Sequence, residues 1–174
     1  PITVEEPNPI SKLIYDSFFE ELEELGFEKT LNELKEILRL KEEGKHILAL
    51  RNLRSALDTF VKEFRYIKLH DSEAFNKQMS IKRFLDELES YGFLSSRERE
   101  DLYIIFARAK YEDKEKNIIA GSLNSILSDF IHSTNIKDVD IKANKYYVEL
   151  LYGLTKEFMR FLLKRALYYD VSLK

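Results

Sequence analysis

Apolar residues recur every third or fourth position along nearly the whole chain. The clearest run is Ile47 to Ile67, where Leu50, Leu53, Leu57, Phe60, Val61, Phe64 and Ile67 mark one side of an α-helix. Arg51, Arg54, Asp58, Lys62 and Arg65 share a second stripe, predicted to be basic and solvated. Pro7 and Pro9 close an extended arm over residues 1–9, and Ile10 to Leu25 predicts a first helix stopped by Gly26. Thr30 with Glu33 has the spacing of a capping box and opens a second helix to about Glu43, with Leu31, Leu34, Ile37, Leu38 and Lys41 on its packed side. Gly44 then turns the chain into the long third helix, so the two should form an antiparallel hairpin.

Asp71 to Lys77 is polar and predicts a loop. Ser80 to Tyr91 gives a fourth helix, ended by Gly92. Ser95 with Glu98 is a second capping box, starting a fifth helix through Leu102, Ile105, Phe106 and Ala109. Glu112 to Lys116 predicts a loop or frayed end, Ile118 to His132 a sixth helix, Thr134 to Asp140 a polar connection and Ile141 to Tyr169 a long last helix. The expected fold is all-α: one domain over residues 10–174, a bundle of six or seven helices with a long central and a long C-terminal member. No sheet beyond a stray bridge is expected, and the core should include Leu53, Leu57, Phe60, Phe64, Phe84, Leu127, Phe130, Leu151, Leu154 and Phe158.

Composition narrows the class. A chain of 174 residues, 44% hydrophobic and 34% charged, suits one folded domain. Its longest apolar runs fall short of the roughly 18 residues a membrane span needs, so no membrane association is expected. The acidic N-terminal segment does not have the pattern of a signal peptide. The absence of cysteine removes thiol chemistry and disulfides and fits a reducing cytoplasm. Abundant Lys, Glu, Ile and Tyr without Cys or Trp is a bias of thermophiles and of A/T-rich genomes. Net charge is −3, unevenly spread: residues 1–36 hold three Lys against ten acidic residues, whereas residues 37–70 hold eight basic against four acidic. That asymmetry fits opposed faces on one domain or a self-complementary oligomer.

Candidate chemistry is sparse. His46, His70 and His132 stand far apart, with no pair at helical spacing, so no metal site is expected. No glycine loop resembles a phosphate cradle and no serine a nucleophile elbow, so no cofactor is expected. Arg65 and His70 are separated by four residues, a spacing usable for RNA cleavage with His as acid or base and Arg stabilising the phosphorane. Five steps along a helix leave two side chains about 140° apart, so the pair converges only if the helix ends between them.

Three stretches carry a family resemblance: Ala49-Leu-Arg-Asn-Leu-Arg-Ser-Ala-Leu-Asp58, the run from Ile81 to Leu94 with its Gly92 turn, and Ile126-Leu-Ser-Asp-Phe-Ile-His-Ser133 ahead of the final helix. Together, residues 45–169 resemble the HEPN (higher eukaryote and prokaryote nucleotide-binding) helical domains. Many members of that family are metal-independent ribonucleases with an Arg, four to six residues, His motif near a dimer interface. His132 is the family-like histidine here, but Leu127, Ile126 and Ser125 occupy the places where that motif requires Arg. The resemblance therefore implies a non-catalytic helical interaction or dimerisation module in a defence or nucleic-acid-linked system.

Two alternatives stand beside it. One is a HEPN-type ribonuclease using Arg65, His70 or His132; the other is an unrelated helical scaffold or viral accessory protein. Tyr147, Tyr152, Tyr168 and Tyr169 put aromatic residues on more than one side of the last helix, which points to a homo-oligomer or a protein partner. Any RNA contact would run through Arg51, Arg54, Lys62 and Arg65.

Overall fold

A computed structural model of the protein describes residues 17–109, 111–116, 118–132 and 145–172. Seven α-helices are found among them: α1 (Ser17–Glu24), α2 (Glu28–Glu42), α3 (His46–Lys68), α4 (Ile81–Ser90), α5 (Ser96–Leu102), α6 (Leu123–His132) and α7 (Lys145–Ser172). The fold is all-α, with a central helix of 23 residues and a C-terminal one of 28. None of the described helices is long and apolar enough to cross a membrane. The N-terminal arm, the start of the expected first helix and the connection Thr134 to Asp140 lie outside the described residues.

A glycine with positive φ turns the chain at either end of α2. Gly26 has φ +80° and Gly44 φ +71°, a conformation that costs glycine least because it has no Cβ. The residue after each closes back on the preceding helix: the Phe27 N–H donates to the Leu22 carbonyl at 2.8 Å, and the Lys45 N–H to the Leu40 carbonyl at 2.9 Å. These tight reversals lay α2 antiparallel on α3, the most extensively packed pair in the described structure.

The start of α2 corrects the expected capping box. Thr30 lies inside the helix, which begins at Glu28, and Phe27 at the cap position makes no side-chain cap. The cap arrives from α3 instead. Glu63 accepts the Lys29 N–H at 2.9 Å, the Thr30 N–H at 2.8 Å and the Thr30 hydroxyl at 2.6 Å. Glu33 in turn accepts the Thr59 hydroxyl at 2.7 Å, one turn further along the same interface. A carboxylate distant in sequence thus takes the place of the local Thr30 cap, and it suits the positive end of the α2 dipole.

Aromatic rings fill the space beside this cap. Phe27 stacks on Phe60 with centroids 5.6 Å apart, Phe60 meets Phe64 at 5.8 Å, and Phe64 meets Phe84 of α4 edge-on at 5.4 Å. Around them the core contains Leu53, Leu57, Leu127, Leu151 and Phe158, as the periodicity predicts. The side chain of Phe130 lies outside the described residues. Leu154 corrects the expectation: it is 40% exposed, because α7 turns Val148, Leu151, Tyr152, Thr155 and Phe158 inward instead. Helix α7 is apolar on more than one side, so periodicity alone does not choose which stripe is covered.

The stretch between α5 and α6 departs most from its sequence reading. Ser95 and Glu98 form the expected capping box, but after Leu102 the helix widens into a π-turn, Tyr103–Ala107. That turn buries Phe106 against Phe158, centroids 4.4 Å apart, and leaves Ile105 exposed. A short antiparallel hairpin follows in place of the expected loop and helix start, pairing β1 (Tyr111–Asp113) with β2 (Ile118–Ala120). Consecutive isoleucines at 118 and 119 suit a strand as well as a helix. Helix α6 begins only at Leu123, behind reciprocal bonds between Ser122 and Ser125: the Ser122 N–H reaches Ser125 Oγ at 2.9 Å and the Ser125 N–H reaches Ser122 Oγ at 3.5 Å.

Two substitutions test this framework. Glu63→Ala leaves two backbone donors and a hydroxyl without their acceptor and should cost about 2–4 kcal/mol. Phe60→Ala should cost about 3–5 kcal/mol, since it empties a fully enclosed ring site. Urea unfolding midpoints of the two variants against the parent measure both.

Candidate functional site

The last two residues of the Arg65–His70 spacing, Leu69 and His70, leave the helix. Helix α3 ends at Lys68, and both the Leu69 and Asp71 N–H groups return to the Arg65 carbonyl, at 3.2 and 3.0 Å. His70 adopts φ +54° to make this reversal and its side chain is exposed. The helix end that convergence requires is therefore present, but Arg65 is engaged elsewhere. It is 4% exposed, its guanidinium pairs with Asp71, donates to the Lys77 carbonyl at 3.2 Å and lies 3.8 Å from Glu87. Arg65 thus ties the 71–80 loop and α4 to the end of α3. This corrects its place on a solvated stripe: α4 and the loop cover that part of the helix.

The remaining members of the basic stripe are distributed unevenly. Arg51 is exposed, Lys62 is half-buried, and Arg54 is ion-paired to Asp58 one turn on. His132 is the last residue of α6, and its side chain lies outside the described residues. Among the described residues no group of three His, Asp or Glu side chains is arranged to hold a metal ion.

Sequence reasoning missed a cleft of about 530 Å³ where the α2–α3 turn meets the start of α7. Leu38, Lys41 and Glu42 line it from α2, Gly44 and His46 from the turn and α3, and Lys145 and Glu149 from α7. Burial holds the Lys41 ammonium below the usual lysine range, opposed by Glu149 and Glu42 and reinforced by Lys145 and Lys156. Its Nζ sits 4.9 Å over the Tyr152 ring. His46 Nδ1 is buried with no hydrogen-bond partner among the described residues. The signal for this cleft was Lys41 on an apolar stripe; its neighbours from α7 are a hundred residues away along the chain. Two lysines, two carboxylates and an imidazole leave it with mixed charge and no arrangement of acid, base and nucleophile in line.

The second feature is the outer face of α7. Tyr146 is 79% exposed, Leu150 56% and Leu154 40%, each one turn from the next. Tyr152, one of the tyrosines that pointed to a partner contact, is buried on the side of α7 that meets Lys41. On the π-turn, which is anchored to α7 through the Phe106–Phe158 stack, Ile104 and Ile105 are exposed as well. Among the described residues these side chains leave apolar surface exposed, and apolar patches of that kind mark contact sites.

Comparison with protein-family models, with curated proteins and with solved structures returns no match.

The Lys41 environment carries a pH test. With its pKa lowered by folding, the unfolded chain binds the proton more readily, so stability rises with pH up to the ordinary lysine value. Lys41→Met should accordingly raise the melting temperature at neutral pH. The gain should shrink as pH approaches about 10.4, where the unfolded lysine also loses its charge. Thermal melts of both proteins across that range check the sign.

Proposed function

We propose that the protein is a non-catalytic helical interaction module that acts through the outer face of α7. The observation that carries this reading is the row Tyr146, Leu150 and Leu154, apolar and exposed among the described residues. Removing such a row from water is favourable at roughly 25 cal/mol per Å², and a partner surface is the means of doing so. The resemblance of residues 45–169 to HEPN domains supports a place in a defence or nucleic-acid-linked system, and the cysteine-free composition fits a reducing compartment. Against the ribonuclease alternative weighs Arg65, whose guanidinium is committed to Asp71, Lys77 and Glu87 and is not free to meet a phosphorane.

Incubation of the purified protein with single-stranded RNA, beside His70→Gly and His132→Ala, should show no cleavage that depends on either histidine. His70→Gly should also hold or raise the melting temperature, because glycine accepts the φ of +54° without the clash a Cβ brings. Leu150→Lys should change stability by no more than about 0.5 kcal/mol, as for other exposed positions. Histidine-dependent RNA turnover, or a fold lost on Leu150→Lys, would overturn the reading.

A further inference from the structure

We infer that Lys41 is a carbonyl-capture site: its ε-amine, standing in the cleft between the α2–α3 turn and the start of α7, takes up a small neutral aldehyde and holds it as an imine. The inference concerns the cleft and does not rest on the α7 face.

The first support is where the amine stands. Lys41 borders a space of about 530 Å³, with buried Leu38 one turn before it in the same lining. The ring of buried Tyr152 lies 4.9 Å from its Nζ, and Lys41 makes no ion pair among the described residues. The second support is the charge around it. Burial disfavours the ammonium, and Lys145 and Lys156 of α7 add like charge; Glu149 and Glu42 oppose them without reversing the result. A desolvated lysine beside other cations is the setting in which an amine becomes neutral, and so nucleophilic, closer to neutral pH. The third support is His46 in the same lining. Its Nδ1 is buried with no hydrogen-bond partner among the described residues, a state that costs free energy until a ligand or water supplies one.

The chemistry needs nothing beyond the aldehyde. The Nζ lone pair forms a C–N bond to the carbonyl carbon while the carbonyl π pair moves to oxygen, which takes up the proton released by nitrogen. The resulting hydroxyl is a donor that an unpartnered imidazole nitrogen can accept. Nitrogen then forms the C=N bond as the C–O bond breaks and water leaves, with no change in oxidation state. With Lys41 neutral, the lining sets Glu42 and Glu149 against Lys145. That balance disfavours a carbonyl compound bearing a carboxylate and selects a neutral one.

Reductive labelling of the full chain with limiting propanal and cyanoborohydride at pH 7, read lysine by lysine by peptide mass spectrometry, tests the proposal. Lys41 should be propylated roughly twofold or more faster than Lys35 and Lys164, both exposed, although it is less accessible than either. Its lead should shrink as pH approaches about 10.4, where ordinary lysines also become neutral. Two exposed cleft positions then separate a tuned amine from a merely reachable one. Lys145→Gln removes a like charge and should slow labelling of Lys41, whereas Glu149→Gln removes an opposing one and should speed it. Each effect should be about two- to fivefold, the range for charges near a protein surface. Lys41 labelled no faster than Lys35 and Lys164 in the parent would overturn the proposal, as would a response to the two exchanges in the same direction or none at all. The parent comparison decides by itself where a variant melts below the labelling temperature.

Discussion

The carboxylate of Glu63 is the constraint on which the α2–α3 pair turns. It is buried, and a carboxylate is removed from water at high cost unless its oxygens are occupied. Here both oxygens accept bonds, from two backbone N–H groups and one hydroxyl at the first turn of α2. Those donors would otherwise be orphaned at a helix start whose own cap residue, Phe27, has nothing to offer them. The arrangement also fixes register. A slip of α2 along α3 by one turn would bury an unpaired carboxylate and strand the donors. The aromatic column Phe27, Phe60, Phe64 and Phe84 packs beside the cap, so the polar contact specifies the alignment and the rings supply the burial.

Arg65 repeats this logic at the other end of α3. It gathers Asp71, the Lys77 carbonyl and Glu87, and so holds a loop that has few apolar residues of its own. The reversal through His70, with a positive φ on a residue that has a Cβ, is kept by the bonds closing onto the Arg65 carbonyl. A spacing that suggests RNA chemistry is in this way accounted for by the end of a helix. The charge that makes arginine useful in catalysis is the same charge that makes it effective in joining a loop to two helices.

Helix α7 has two apolar sides, and the bundle has room for one. The side bearing Leu151, Tyr152 and Phe158 is taken up by the core and by the stack on Phe106; the other, with Tyr146, Leu150 and Leu154, meets solvent. The cleft at Lys41 borders the same helix on its other edge, so changes at α7 and at the α2–α3 turn are physically adjacent.

The sequence by itself determined the helices whose apolar stripe is single and whose ends are marked: α2 stopped before Gly44, the whole of α3, α4 behind Ser80, and α5 behind the Ser95–Glu98 box. At these marked ends local periodicity and local hydrogen bonding agree, whereas the start of α2 does not belong with them. Tertiary structure decided the rest. Thr30 and Glu33 had the spacing of a cap, but Glu63 and Thr59 took their hydrogen bonds from across the hairpin. Ile118 and Ile119 served a strand because β1 was there to pair with them. Arg65 matched the solvated stripe in period, yet the loop and α4 covered it. Leu154 is exposed and Tyr152 buried because a helix with more than one apolar side takes its orientation from whatever packs on it. The candidate site belongs to this second class: an uncovered face and a cleft are defined by what is absent from their surroundings, and periodicity reports only what a residue would prefer to touch.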